Sequence, residues 1–539
     1  NGFFLEDETT SELYCYSNTI YNCSDGIHTG DNGAIVKNTI VQDCTTGFNG
    51  TFDAASDYNI SDNAADAPGA HSQNEVDVTF VDEANDDFHL SIDDDYARDG
   101  GASLALDADL SFSNDIDLEQ RPGIWDVGAD ETSTRIYRSA GPGSTGSLEN
   151  GSGNDLSISG FTAVFSLGVD LTIGVGDAIQ YDSDDDGAVD AVCFIHSRAS
   201  ATLFNVAGAD GGYPVQPVTA DQDWDIFRAY TSLDDAESLV ENTGLDDTIE
   251  NFDQTAGGRN IVANNEQWNI ACYADSLDSS EVVFSGWTTD EERYLRIYTP
   301  HLSTHVGTSQ RHNGVWTTDG YRIQGDYRYG VLRMDIDYWR VEGLQLEQIY
   351  SGQARGIYYY AGTGEGRVEK CIFRRPNPNS DDDGILFSDS FEGTAVIANN
   401  IIYDYYTGIT MNPDTSADIC IVYNNTIVDA SHQGIAVSLN DADETLYLKN
   451  NIISNSGTID FDLNGAAETY DYQYNLSSDS SSPNPALSSA TVTFVDYAYD
   501  DFRLDVLDSA AKDQGADLAS DANHAITEDV KSFTRPYSD

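Results

Sequence analysis

The fold is decided by a six-residue motif that occurs three times: Ala398-Asn-Asn-Ile-Ile-Tyr403, Tyr423-Asn-Asn-Thr-Ile-Val428 and Lys449-Asn-Asn-Ile-Ile-Ser454. Successive copies are 25 and 26 residues apart, and Gly-Ile pairs follow the first two copies at Gly408 and Gly434. Looser copies of the pattern lie earlier in the chain, at Ser17–Tyr21, Lys37–Val41, Glu342–Leu346 and Glu369–Phe373.

Each repeat has the pattern of a short strand with alternating apolar residues, a polar turn, and a second short strand after the glycine. Units of this length cannot bury an apolar face alone, so they must stack into a solenoid. The asparagine before the strand tolerates a left-handed turn conformation, and stacked asparagines can hydrogen-bond from coil to coil. The glycine allows the bend into the next strand.

This pattern resembles the right-handed parallel β-helix of the pectate-lyase-like superfamily. The resemblance covers residues 340–465 and 13–60 and extends, less closely, over 258–340. It implies an all-β fold and an exported bacterial or phage-borne protein. It implies little about activity, because one fold can carry many functions.

A second, longer repeat relates the start of the chain to its end. Three short segments recur in the same order at an offset of 414 residues. We therefore predict β-helix solenoids in tandem: residues 1–131 are the C-terminal part of a first module with its closing tail, 132–257 a small β-rich cap, 258–470 the second β-helix, and 471–539 its closing tail. The segments are Val78–Asp82, Asp86–Leu90 and Ala97–Ala102, which match Val492–Asp496, Asp500–Leu504 and Ala511–Ala516.

Residues 132–257 differ from the repeats on either side. A Gly/Ser-rich stretch, Ser139–Gly153, marks a boundary. We expect strands at Thr162–Val169 and Ala188–His196 and a helix at Asp234–Asn242. Because the first coil of a solenoid exposes strand edges, we interpret this segment as a cap over the entry to the second solenoid.

The chain of 539 residues is strongly acidic: 93 Asp and Glu against 25 Lys and Arg give a formal charge of -68. Nucleic-acid binding needs clustered basic residues, so the composition argues against a nucleic-acid partner and against docking on an anionic membrane. No apolar run reaches the ~18 residues of a membrane span. We expect an exported protein that is extracellular or on the cell surface, or alternatively on a virion surface.

The densest local motif is Asp182-Ser-Asp-Asp-Asp-Gly-Ala-Val-Asp190. Carboxylates at its first, third, fifth and ninth positions and a carbonyl at the seventh match the ligand order of a calcium loop. The twelfth position is a cysteine, so the EF-hand pattern is incomplete. A solvated Asp-Gly hairpin turn is the alternative. The predicted Ca²⁺ ligands are Asp182, Asp184, Asp186, Ala188 and Asp190.

One cluster has the residue types of a polysaccharide lyase. Such an enzyme needs acidic groups that hold a cation and a basic side chain that removes a proton. A local ion pair at an acidic turn explains the same residues without catalysis, and a glycosidase would instead use two facing carboxylates. The candidates are Lys370, Arg374, Arg375, Asp381 and Asp383.

Three smaller clusters allow two interpretations each. The tyrosines of Tyr358–Tyr360 and Tyr403–Tyr406 could stack on sugar rings, although aromatic stacks between coils are commoner. His301 and His305 are four residues apart, but a neighbouring proline and glycine favour loop structure, in which that spacing does not indicate a metal site. Cys23 and Cys44 follow equivalent asparagines, so they fall on successive coils, which allows a disulfide without establishing one.

Two functions remain open from the sequence. Module repetition, acidity and the calcium motif favour an extracellular structural or adhesive protein that forms a surface filament, sheath or fibre. Its partners would be surface polysaccharide and further copies of itself. We expect the copies to associate end to end, because solenoid-like sequence starts at Leu13 without a preceding cap. The alternative is a carbohydrate-active β-helix enzyme, either a polysaccharide lyase or a tailspike-type depolymerase. No catalytic group stands out, so the sequence leans against an enzyme.

Overall fold

The computed structural model describes residues 2–535 except 6–12, 31–32, 84–85, 92–93, 117–120, 122–124, 221, 250, 254–258, 414–417, 440–443 and 466–468. The chain forms two compact units: residues 1–135 with 210–213, and residues 136–209 with 214–539. Almost all of the regular structure is β-strand. The predicted all-β fold with parallel β-helix architecture is confirmed.

The second unit is a solenoid in which each coil contributes one strand to each of three parallel sheets. Sheet 1 consists of Thr134–Ala140, Glu266–Cys272, Leu295–Tyr298, Trp339–Glu342, Glu365–Glu369, Thr394–Ala398, Ile419–Tyr423, Thr445–Lys449 and Thr469–Gln473. Sheet 2 consists of Leu277–Asp278, Arg322–Gly325, Gln345–Gln348, Ile372–Arg374, Ile401–Tyr403, Thr426–Val428, Ile452–Ser454 and Leu476–Ser477. Sheet 3 consists of Val282–Ser285, Leu332–Asp335, Arg355–Gly362, Asp383–Phe391, Thr407–Met411, Gln433–Leu439 and Ile459–Gly465.

The repeated asparagines form a buried ladder between sheets 1 and 2, as predicted. The side-chain oxygen of Asn425 accepts hydrogen bonds from the backbone N–H and from Nδ2 of Asn400, both at 3.0 Å. Asn451 accepts the equivalent two bonds from Asn425, at 3.0 and 3.1 Å. The asparagines that precede the ladder have φ angles of 57°, 55° and 58°. Asparagine is therefore used twice in each repeat, once for the left-handed turn and once for the ladder.

The glycine of the Gly-Ile pair has a different role from the predicted bend. A Cβ atom on Gly408 would lie 2.6 Å from Cγ2 of Ile427 and 2.7 Å from the carbonyl oxygen of Gly434. Gly408 faces inward, where neighbouring coils approach too closely for any side chain. The adjacent isoleucines, Ile409 and Ile435, are fully buried in the core.

The segment after the first strand of sheet 1 forms a separate antiparallel sheet. Its α-helix, Leu233–Ser238, is shorter than the predicted Asp234–Asn242, because Leu239 adopts a left-handed conformation that ends it. Among the described residues, no helix is long and apolar enough to span a membrane. The antiparallel sheet consists, in spatial order, of Glu149–Asn150, Trp224–Phe227, Ala178–Tyr181, Ala191–Arg198, Leu203–Ala207, Thr162–Phe165 and Leu156–Ser159.

A buried arginine joins this antiparallel sheet to the first coil of the solenoid. Nη1 of Arg228 lies 2.8 Å from both carboxylate oxygens of Asp177, and its Nε lies 2.8 Å from Asp275. The guanidinium also lies 3.5 Å from the ring centroid of Tyr273. Arg228 and Asp177 are fully buried, so their charges are compensated almost entirely by each other and by Asp275.

The closing tail of the second unit packs on the outer faces of sheets 1 and 2. It contains the 3-10 helices Pro485–Leu487 and Tyr497–Tyr499 and an antiparallel pair of strands, Phe494–Asp496 and Asp501–Leu504. The tail covers apolar side chains of both sheets. On sheet 2 it places Phe494 and Phe502 against Ile372, Ile401, Tyr403 and Val428, and on sheet 1 it places Leu518 and Ile526 against Val396, Ala398, Ile421 and Tyr423.

The first unit ends in the same closing structure. Its strands Phe80–Asp82 and Asp87–Leu90 pair Phe80 with Leu90, just as Phe494 pairs with Leu504 in the second unit, 414 residues later. The other strands of this unit are Phe3–Leu5, Tyr14–Tyr16, Thr19–Tyr21, Asp25–Thr29, Ile35–Lys37, Ile40–Gln42, Thr46–Asn49, Ile60–Ser61 and Gln73–Asn74.

The two tails are also anchored by the same contacts. Lys37 pairs with Asp107 at 2.6 Å, and Lys449 pairs with Asp521 at 2.6 Å. In each unit the next residue, an asparagine, exchanges two hydrogen bonds with the backbone of an alanine: Asn38 with Ala102, and Asn450 with Ala516. The sequence repeat is thus a structural repeat of the tail, whereas the tandem arrangement and the four domain boundaries stay predictions.

Candidate functional site

Sheet 3 carries a partly exposed group of tyrosines and arginines on its outer surface, which we call the tyrosine–arginine face. Arg333 lies beside Tyr358 in the parallel register of neighbouring strands. Because side chains alternate along a strand, Asp335 and Tyr360 point to the same side as these two. The face consists of Tyr329, Arg333, Asp335, Arg355, Tyr358 and Tyr360.

Arg333 is the centre of this face. Its guanidinium carbon lies 5.4, 6.0 and 4.6 Å from the ring centroids of Tyr329, Tyr358 and Tyr360. Asp335 orients it through two hydrogen-bonded contacts, from Nε at 2.9 Å and from Nη2 at 2.7 Å. Tyr360 is 43% exposed and Tyr329 is 36% exposed. The face therefore offers aromatic surface to solvent, with charged groups held in fixed orientations.

Asp383 borders the face on the next coil. Nε of Arg355 lies 3.5 Å from one of its carboxylate oxygens, and the hydroxyl of Thr410 donates a hydrogen bond to the other. Burial raises the pKa of Asp383 to about 6, although the hydrogen bond and the arginine favour the charged form. Asp383 consequently exchanges a proton close to neutral pH.

The structure distributes the five predicted lyase residues over three parts of the coil. Lys370 lies in the turn between sheets 1 and 2 and pairs with Glu528 and Glu342 at 2.8 and 3.4 Å. Arg374, at the end of its strand in sheet 2, lies 2.6 Å from Glu347 and over the ring of Trp316. The remaining three have separate partners: buried Arg375 pairs with Asp382, exposed Asp381 accepts from Gln353, and Asp383 borders the tyrosine–arginine face.

The other predicted clusters are divided between core and surface. Tyr359, Tyr403 and Tyr405 are buried, whereas Tyr358 and Tyr360 face outward. His301 and His305 lie in a loop, as expected, and burial lowers the pKa of these imidazoles to about 3 and about 4. Both histidines are therefore neutral at physiological pH.

The predicted calcium loop lies at the tip of a hairpin in the antiparallel sheet. Carboxylate oxygens of Asp182, Asp184 and Asp186 lie within 4.8 Å of one another. Repulsion from Asp186 raises the pKa of Asp184, which is the electrostatic situation that a divalent cation relieves. Asp190 is turned to Ser183, whose N–H and hydroxyl donate to it at 2.8 and 3.0 Å. Three of the predicted ligands thus converge, and Ca²⁺ binding stays a prediction.

If these carboxylates bind Ca²⁺, calcium should raise the melting temperature of the protein and EDTA should reverse the effect. Binding to the folded state alone stabilises it by about 2.7 kcal/mol at a free concentration of 100 times Kd. The variant D184N/D186N should show no calcium-dependent shift of the melting temperature in scanning calorimetry, whereas the control variant D246N/D247N should keep the shift. If neither calcium nor EDTA changed the melting temperature of the wild-type protein, the loop would be a solvated turn without a bound cation.

Part of the chain matches a known protein family. Residues 307–481 match the family described as the right handed beta helix region, and this segment contains the tyrosine–arginine face and most of the asparagine ladder. Comparisons with curated proteins and with solved structures gave no match. The chain therefore contains a right-handed β-helix, and the family match assigns no activity to it.

Proposed function

We propose that this is an extracellular adhesive β-helix protein that binds carbohydrate chains on the tyrosine–arginine face. The observation that carries the proposal is the contrast between the sheets. The closing tail packs on apolar rows of sheets 1 and 2, whereas sheet 3 presents Tyr358 and Tyr360 on its outer surface, beside Tyr329 of the preceding turn. Tyrosine rings stack on sugar rings, and the Arg333–Asp335 pair supplies donors and acceptors for sugar hydroxyls.

The charge of the protein bears on the kind of chain that binds. A formal charge of -68 repels polyanions over about 8 Å at physiological ionic strength. Each arginine of the face is accompanied by an aspartate, so the site itself adds little positive potential. Neutral polysaccharides are consequently favoured over heavily charged ones. Assembly of copies end to end into a filament stays a prediction, for which negative-stain electron microscopy of the native material is the test.

Binding should weaken when the centre of the face is removed. We expect Tyr360→Ala and Arg333→Ala each to lower the affinity for a bound polysaccharide about 5- to 30-fold, equivalent to the loss of 1–2 kcal/mol of stacking or hydrogen bonding. Affinity electrophoresis against neutral and acidic polysaccharides identifies the ligand, and calorimetry measures the affinity. Tyr470→Ala is the matched control, because Tyr470 is also 43% exposed but lies on sheet 1.

Two outcomes would contradict the proposal. Equal losses for Tyr360→Ala and Tyr470→Ala would mean that binding occurs elsewhere or without specificity. Absence of binding to every polysaccharide in the panel by the folded wild-type protein would remove the carbohydrate partner altogether.

The position of Asp383 supports a second candidate function, a carbohydrate-active enzyme. A carboxyl group with a pKa of about 6 at the edge of a sugar-binding face can donate a proton to a leaving oxygen. Asp383→Asn would then abolish bond cleavage while binding persists. Two products would distinguish an enzyme from an adhesin. These are new reducing ends, measured by a reducing-sugar assay, and unsaturated sugars, measured by ultraviolet absorbance.

A further inference from the structure

Two cysteines of the first unit lie level with each other on successive coils. The strands before them pair Ile20 with Val41 and Tyr21 with Gln42. The strands after them pair Asp25 with Thr46. The offset is 21 residues on both sides, so Cys23 and Cys44 occupy the same position in neighbouring coils. The backbone N–H of Thr45 donates to the carbonyl of Cys23 at 3.0 Å, which continues the pairing through this turn.

The side chain of Cys44 also contacts the backbone of Cys23. The backbone N–H of Cys23 donates to Sγ of Cys44 at 3.2 Å, which places that sulfur directly against Cys23. Neighbouring parallel strands are about 4.8 Å apart, and the Cα atoms of disulfide-bonded cysteines are usually about 4.4–6.8 Å apart. The ordinary spacing of neighbouring coils therefore lies within the range that a disulfide needs.

We propose that Cys23 and Cys44 form a disulfide that links two successive coils when the protein meets a thiol-oxidising environment. The oxidant is a small disulfide such as oxidised glutathione. The partly exposed thiol of Cys23, once deprotonated, attacks one sulfur of this disulfide and releases one thiol. Cys44 then attacks the sulfur of Cys23 and releases the second. The protein loses two hydrogen atoms, and the small disulfide gains two.

Burial of Cys44 slows the second step. Cys44 is buried and Cys23 is half-buried, so Cys23 meets the oxidant first. Burial raises the pKa of the Cys44 thiol to about 11, and the thiolate is the attacking species. Disulfide formation should therefore accelerate with rising pH and pass through a mixed disulfide on Cys23.

The register sets this pair apart from three other cysteines that lie in described strands. Cys15 lies opposite Val36, Cys193 lies opposite Ile179, and Cys420 lies between Ala395 and Leu446. Each of these thiols is buried and has an apolar residue beside it on the next strand. None of these three thiols has a cysteine as its strand neighbour, so we expect the disulfide to be intramolecular and to join Cys23 to Cys44.

The test is oxidation of the full chain in a glutathione redox buffer, followed by denaturation, alkylation of free thiols and mass spectrometry. Of the seven cysteines, two fewer should react after oxidation, and a proteolytic digest should contain one linked peptide pair that joins Cys23 to Cys44. Cys44→Ser should abolish the linked pair, whereas Cys15→Ala should keep it. The wild-type digest decides the matter even if a variant does not fold.

Three results would overturn the proposal: seven reactive thiols after oxidation of the folded protein, a linked pair that joins other cysteines, or a disulfide between two chains. The outcome is independent of carbohydrate binding, because both cysteines belong to the first unit and the tyrosine–arginine face belongs to the second.

Discussion

Replacement of Arg228 by methionine is expected to lower the free energy of unfolding by about 3–5 kcal/mol, the usual cost of leaving one partner of a buried ion pair alone. Arg228 compensates Asp177, which is completely buried and whose pKa is raised by that burial even with the arginine present. Without Arg228, Asp177 must be protonated or carry an uncompensated charge. Urea denaturation followed by tryptophan fluorescence measures the loss.

The loss should also depend on pH. A carboxyl group with a raised folded-state pKa favours folding at low pH, and this contribution disappears as the pH rises through that pKa. The destabilisation of Arg228→Met should therefore be larger at about pH 8 than at about pH 5. The control is Arg503→Met, which removes a pair with Asp501 at 2.6 Å whose arginine is 38% exposed, and should cost at most about 1 kcal/mol. Similar losses for the two variants would show that burial does not determine the effect.

The second large effect is expected for Asn425→Ala, which interrupts the asparagine ladder. The substitution leaves the backbone N–H of Asn400 and the carbonyl of Ile397 without their buried partners. Each orphaned group costs about 1–3 kcal/mol, so the free energy of unfolding should fall by about 2–6 kcal/mol. Urea denaturation, with circular dichroism of the strands as the signal, is the measurement.

The matched control for this variant is the neighbouring asparagine. Asn424 is half-buried and has a φ angle of 55°, a conformation that glycine adopts without strain. Asn424→Gly should therefore change stability by less than about 1 kcal/mol. If the two variants unfolded at the same urea concentration, the ladder would contribute no more than the turn.

The sequence predicts the solenoid well because its determinants are local and repeated. The motif Asn-Asn-Ile-Ile specifies a left-handed turn, a ladder position and an alternating strand within four residues, and each copy confirms the others. The repeat at 414 residues predicts the second tail in the same way. The role of Gly408 could not be predicted, because it depends on the distance to Ile427 in the next coil.

The candidate site is harder to predict because it depends on register between coils. Arg333 lies on one coil and Tyr358 and Tyr360 lie on the next, so only the parallel pairing of their strands brings them together. The predicted lyase cluster fails to converge for the reverse reason. Lys370 and Asp383 are close in sequence, but the chain turns two corners of the coil between them.

The tail has a consequence for biosynthesis. Until residues 494–526 have left the ribosome, the outer rows of sheets 1 and 2 expose ladders of apolar side chains, among them Ile401, Val428 and Ile421. Flat, regular apolar surfaces of this kind promote aggregation of nascent and truncated chains. A chain that is truncated before the tail would form the coils and still aggregate through these exposed rows. These apolar rows are therefore covered only after the tail has docked on coils that are already formed.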